Sequence, residues 1–155
     1  MDVFYYWKDL VTDVKSGRVG RFRSAKERLE ELQAGCPSYI WAFKTPPGRK
    51  GELQLFARMV WSDKPLVAFV PMAGDTHIFY DPDHPHSVWF DGSDSDRAIA
   101  EVTRWVRGHI PVAHASNFQG MNGQHAMRGA VVADLQKLSA SLGKRPFRQG
   151  IGTAA

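Results

Sequence analysis

The distribution of β-prone runs constrains this chain most. Tyr39 to Phe43, Glu52 to Trp61, Leu66 to Val70, His77 to Tyr80 and Ser87 to Phe90 read as consecutive short strands, separated by Pro- and Gly-bearing turns such as Thr45 to Gly51. The flanks read differently. After a first aromatic strand, Val3 to Trp7, residues 8–16 place Leu10, Val11 and Val14 at helical spacing, with Gly17 as the stop. Ser24, with Glu27 three residues later, predicts a capping box opening a helix that runs to about Ala34. Ser95 to Arg107 places Ile99, Val102 and Val106 on one face, and residues 124–142 carry Val131, Leu135, Leu138 and Leu142 as a stripe. Strands in the middle and helices at the ends predict an α+β fold, a small curved antiparallel sheet or β-barrel with flanking helices. They exclude the repeated βαβ pattern of a dinucleotide-binding sheet.

The 155 residues suffice for one core. The reading is a single domain over 1–142, followed by a flexible tail, 143–155, rich in Gly and charge. One cysteine, Cys36, permits no internal disulfide. No apolar run approaches a membrane span and the N-terminus does not read as a secretory signal, so a cytoplasmic location away from membranes is expected.

The net charge of +4 is unevenly spread. Residues 1–60 hold 11 Lys/Arg against 7 Asp/Glu, residues 61–101 hold 2 against 8, and residues 102–155 hold 7 against 1. Two basic stretches flank an acidic one, and if they meet they form a basic face suited to a polyanion. The densest basic motif, Gly17-Arg18-Val19-Gly20-Arg21-Phe22-Arg23-Ser24, runs into a helix start. Backbone amides there and three arginines suit a phosphate, although no P-loop lysine follows. An ordinary solvated loop explains the same residues. The five tryptophans, with Tyr5, Tyr6 and Phe43, are numerous enough that one or two are expected to line a pocket, the rest serving as core. Asn117 and Gln119 lie in a polar, glycine-broken loop, Ser116 to Gly123, whose amides suit base edges or plain turn chemistry.

Catalytic signals are sparse. Asp81-Pro82-Asp83-His84-Pro85-His86, with His77 upstream, holds ligand-type side chains in a proline-stiffened segment. It leaves a small metal-dependent hydrolase or nuclease as one alternative, and a non-catalytic interaction module as another. No nucleophile elbow is present.

Taken in order, the strand ending in Tyr6-Trp7, the basic loop, Tyr39-Ile40-Trp41-Ala42-Phe43, the strand Leu53 to Trp61 and the late Asn117-Phe118-Gln119-Gly120 resemble the PUA-like superfamily, particularly its EVE-type members. The resemblance implies a small β-barrel that binds DNA or RNA and holds a modified or flipped base in an aromatic pocket. It implies a binding domain rather than an enzyme, without cofactor or metal, and sometimes a nuclease partner encoded nearby. By position, Trp7, Trp41 and Trp61 become pocket walls, with Phe118 and Gln119 closing the pocket. Arg18, Arg21 and Arg23 become phosphate contacts, and Ser24 supplies helix-start amides.

Overall fold

Alternation along β1 (Asp2–Tyr6) and β3 (Tyr39–Lys44) sets the architecture, because both strands are buried on both faces. Val3, Ile40 and Ala42 point one way, Phe4, Trp41 and Phe43 the other. The computed structural model describes residues 1–154. It continues with α1 (Leu10–Lys15), β2 (Arg21–Arg23), α2 (Lys26–Ala34), β4 (Gln54–Ser62), β5 (His77–Asp81), β6 (Val88–Asp91), α3 (Asp96–His109), α4 (Pro111–Ala115), β7 (Gln124–Met127), α5 (Ala130–Ala140), β8 (Gly143–Pro146) and α6 (Phe147–Ile151).

The strands form one curved sheet in the order β2-β5-β4-β3-β1-β7, with β6 also on β4 and β8 on β6. The α+β class with a curved sheet is as the sequence predicts. One pair departs from the antiparallel expectation: β1 and β3 run parallel, joined by the α1-β2-α2 crossover. Curvature has a local cause. The register between β3 and β4 jumps from Ala42↔Ala57 to Phe43↔Leu55, leaving Phe56 as the extra residue of a bulge. Phe56 and Ala57 consequently join the same core cluster.

A second irregularity splits the sheet. Asp81 pairs with Val60 and Val88 with Arg58, so β5 and β6 lie along one edge of β4, interrupted by Pro82 to Ser87. The Ser87 hydroxyl stitches the gap, accepting from Val60 N–H at 3.0 Å and donating to the Asp81 carbonyl at 2.5 Å. Beyond the gap the strands diverge, β5 toward β2 and β6 toward β8.

The two ends of the main path meet through side chains. Ser24 Oγ donates to Gln124 Oε1 at 2.9 Å, and Gln124 Nε2 donates to the Arg23 carbonyl at 3.4 Å, joining the end of β2 to β7. Ser24 is therefore not the cap of α2. Ala25 holds that position, without a side-chain cap, and the expected capping box does not form. Ser95, by contrast, caps α3, accepting from Ala98 N–H at 3.1 Å.

Each sheet face has its own core. On the outer face Phe4, Trp41, Phe43 and Leu55 meet Val102, Trp105 and Val106 of α3 and Leu135 of α5. Phe43 and Trp105 stack at 5.5 Å. On the inner face Trp7, Ile40, Phe56, Met59, Ile78 and Tyr80 meet Leu32 of α2 and Phe147 and Ile151 of α6.

Three further expectations are corrected. Leu66 to Val70 is no strand but part of an irregular segment, 63–76, where Pro65 and Pro71 interrupt any ladder. The helix expected over 124–142 begins only at Ala130, since Gln124 to Met127 pairs with β1 and Gly129 turns the chain at φ +61°. The C-terminal stretch is no loose tail. Gly143 to Pro146 pairs with β6, Phe147 is fully buried, and Gly150 lies against the Trp89 ring. Position 155 lies outside the described residues.

Candidate anion-binding cleft between β2 and the 63–76 segment

The basic motif following α1 is built into a cleft of about 520 Å³, the other side of which is the 63–76 segment. Arg18 is anchored first. Its backbone N–H donates to the Asp13 carbonyl at 2.8 Å, and its Nε lies 3.3 Å from Asp13 Oδ1. The second Asp13 oxygen accepts from the buried Trp7 indole at 2.8 Å, tying this rim to the inner core. Gly20 then lets the chain enter β2 at φ +101°, with its carbonyl accepting from Tyr80 N–H at 3.0 Å. Alternation in β2 buries Phe22 and sends Arg21 and Arg23 the other way.

The cleft floor is aromatic. Tyr5 and Phe22 stack at 3.9 Å, with the Trp7 and Tyr80 rings behind Phe22. Burial, then the Asp13 and Asp9 carboxylates, push the Tyr5 hydroxyl well above the ordinary tyrosine value. The opposite wall is Phe69, over whose ring the Arg21 guanidinium sits at 4.3 Å. Arg23 reaches Asp75 at 3.0 Å, and the Thr76 hydroxyl donates to the Ser24 carbonyl, so the far end of the segment is pinned to β2. His77 completes the wall, held below its usual value of 6.5 by burial and by the Arg21 and Arg23 charges, against the pull of Asp75. Arg21 alone of the three arginines has no carboxylate within ion-pair distance among the described residues.

The structure thus brings Arg18, Arg21 and Arg23 together and leaves the other expected site residues elsewhere. Trp7 and Trp41 cannot share a pocket, since both are buried and lie on opposite faces of the sheet. Trp41 instead donates to the buried Asp2 carboxylate at 2.8 Å. Trp61 is half-buried against the inner core, in register with Tyr80, and is not part of the cleft lining. Phe118 is buried in the outer core, stacked on Tyr6 at 5.1 Å, with a left-handed φ of +60°. Gln119 is exposed there, its Nε2 donating to the Asn117 carbonyl at 3.2 Å. Ser24 belongs to the β2–β7 seam. The residues that sequence reasoning missed are Phe69 and Asp75; Tyr5 was among the aromatics expected to line a pocket, and His77, read there with the 81–86 segment, lies instead in this cleft. The prolines bracketing 66–70 were the available signal that this apolar run is not a strand.

The acidic middle segment pairs with the basic stretches: Arg148 with Asp83 at 2.8 Å, Arg145 with Asp91 at 2.9 Å and Arg49 with Asp96 at 2.7 Å. In the 81–86 segment, Asp83 is thereby occupied and His84 Nδ1 accepts from His86 N–H. Among the described residues, no three His, Cys, Asp or Glu side chains are grouped to hold a metal ion, and no helix is long and apolar enough to cross a membrane.

Fold and cleft together define a class: an α+β half-barrel carrying an arginine-rimmed cleft with an aromatic floor. No protein-family model, curated protein or solved structure matches the chain.

Proposed function

We propose that this chain is a non-catalytic nucleic-acid-binding domain of PUA-like type, which holds one nucleotide in the arginine cleft. The observation that supports this reading is the convergence of Arg18, Arg21 and Arg23 on a cleft with a Tyr5–Phe22 floor and a Phe69 wall. Guanidinium groups suit phosphate through paired donors. Aromatic faces suit a base, at about 1–3 kcal/mol per stacked base. A nucleotide presents both within a few ångströms. On this reading Phe69 and Tyr5 take the base-facing role that the family resemblance implied for Trp7, Trp41 and Trp61.

The test is salt dependence. Oligonucleotide affinity should fall linearly on a log–log plot against salt. Arg21→Ala with Arg23→Ala should flatten the slope by about 1–2 units. An unchanged slope removes the cleft from the interface.

A further inference from the structure

The charges lining the arginine cleft sum to zero. Arg18, Arg21 and Arg23 face Asp9, Asp13 and Asp75, three cations against three carboxylates. Asp13 is taken by Arg18 and Asp75 by Arg23, while Asp9 offsets Arg21 in the sum. An anion entering such a cleft gains no net attraction from the lining as a whole. One residue can change that. Histidine alone among the side chains ordinarily changes its charge between about pH 5 and 8, and His77 is the histidine of this lining. Tyr5 stays a neutral phenol there, since burial pushes its hydroxyl well above the ordinary value. The charge on His77 therefore decides the sign of the cleft near neutral pH.

His77 is placed beside the arginines that would hold the anion. In the antiparallel β2–β5 pair it stands opposite Arg23, where facing Cβ atoms lie about 4.5–5.5 Å apart. Alternation in β5 buries Ile78 and Tyr80 and turns His77 and Phe79 to the other face. The imidazole meets the Phe69 ring edge-on at 5.1 Å, and that same ring carries the Arg21 guanidinium at 4.3 Å. Phe79 lies against the imidazole at 6.2 Å. The charged groups around it are thus Arg21 and Arg23 from β2 and Asp75 from the 63–76 segment, with Arg18, Asp9 and Asp13 across the cleft. In the empty cleft burial and the two arginines outweigh Asp75 and favour the neutral ring. An anion on Arg21 and Arg23 reverses this balance, because it cancels the charges that repel a proton and adds negative charge of its own.

We propose that His77 is a fourth anion ligand of the cleft, binding as the imidazolium, so that seating an anion takes up a proton. This rests on the reading of the cleft as an anion site and deepens it by naming how that site is regulated. The added proton makes four cations against three carboxylates. It also compensates Asp75 when the anion draws Arg23 away from it. Linkage fixes the sign: a ring that holds its proton more tightly in the occupied cleft than in the empty one makes binding stronger as pH falls. A difference of about one pKa unit between the two states gives about a tenfold gain in affinity.

The test needs anions whose own charge is constant over the range. A short single-stranded oligonucleotide without a terminal phosphate serves, and sulfate serves as a second probe; a phosphate monoester does not, since it takes up a proton itself near about pH 6. Affinity of the parent for the oligonucleotide should rise about tenfold between about pH 7.5 and about pH 5.5. His77→Gln should hold the parent's high-pH affinity throughout, without the rise. The His77 ring signal in a proton NMR titration of the parent, which needs no variant, should move to higher pH when either anion is present. If His77→Gln keeps the rise, or the ring titrates at the same pH with and without bound anion, the proton link is overturned; the nucleic-acid reading stands in that case if Arg21→Ala still weakens the oligonucleotide. If the oligonucleotide binds at no pH, the nucleic-acid reading falls and sulfate decides the proton link alone: a shifted His77 titration upholds it and an unmoved one overturns it.

Discussion

Replacing Ser24 and Gln124 by alanine, singly and together, tests whether the two ends of the curved sheet meet as the structure has it. The two side chains share one bond of 2.9 Å across the seam between the end of β2 and β7, and both are half-buried. A neutral hydrogen bond of this kind contributes about 0.5–1.5 kcal/mol net. Ser24→Ala loses that bond and a weaker one to the Ala25 carbonyl at 3.2 Å. Gln124→Ala loses it together with the long contact to the Arg23 carbonyl. Each single variant should therefore cost about 1 kcal/mol, and the pair should cost less than the sum by about 1 kcal/mol, because the shared bond is broken once. Urea unfolding at equilibrium, with all four proteins having the same slope, supplies the cycle. A helix-cap role for Ser24 gives the same single-variant cost but no coupling to residue 124. Additivity within about 0.3 kcal/mol would refute the seam and restore the cap.

Two other outcomes follow from packing and burial. Phe147→Ala removes a fully buried ring that meets Tyr80 edge-on at 5.6 Å, and should destabilise the protein by about 3–5 kcal/mol in the same assay; a change below 1 kcal/mol would mean the C-terminal helix is not part of the core. Burial beside Phe4 holds His125 below its usual 6.5, so the unfolded chain takes up the proton first and stability declines as pH falls below 6.5; His125→Gln should flatten that acid limb in a melting series, and an unaltered limb places the titration elsewhere.

The strands of the sheet centre were legible because their signal is local. Alternation in Tyr39 to Phe43 and the long apolar run ending at Trp61 correspond to β3 and β4 almost residue for residue. The pieces that failed depend on partners distant in sequence. Gly143 to Pro146 carries no strand pattern and becomes β8 only because β6 has an open edge. Gln124 to Met127 reads as helix until β1 offers a ladder. In the site, the arginines were legible since their spacing alone brings them to one rim. The tryptophans misled because residue type does not tell which face of a sheet a ring occupies. Trp7 and Trp41 become core on opposite sides, each indole N–H taken by a carboxylate, Asp13 or Asp2. Phe69 was hidden by its place in an apolar run that mimics a strand.

The carboxylates in the cleft bear on how it would discriminate among anions. Arg18 and Arg23 come with Asp13 and Asp75 attached, so two of the three cations are already compensated in the free protein. Such partly exposed pairs contribute only about 0–1 kcal/mol each, so an incoming phosphate can displace them at little cost. What it cannot remove is the negative charge, since Asp75 is tied to the segment that forms the wall. Arg21 differs. Phe69 fixes its guanidinium, and no carboxylate competes for its donors among the described residues. On the nucleic-acid reading, a generic polyanion gains one uncompensated cation and meets two acids. A nucleotide gains that cation together with the Phe69 and Tyr5 surfaces, which do not depend on charge. Affinity would thus be carried by the fitted nucleotide more than by the length of backbone bound. Loss of Arg21, which serves both the phosphate and the orientation of Phe69, should matter more than loss of Arg23, which is 76% exposed and already paired.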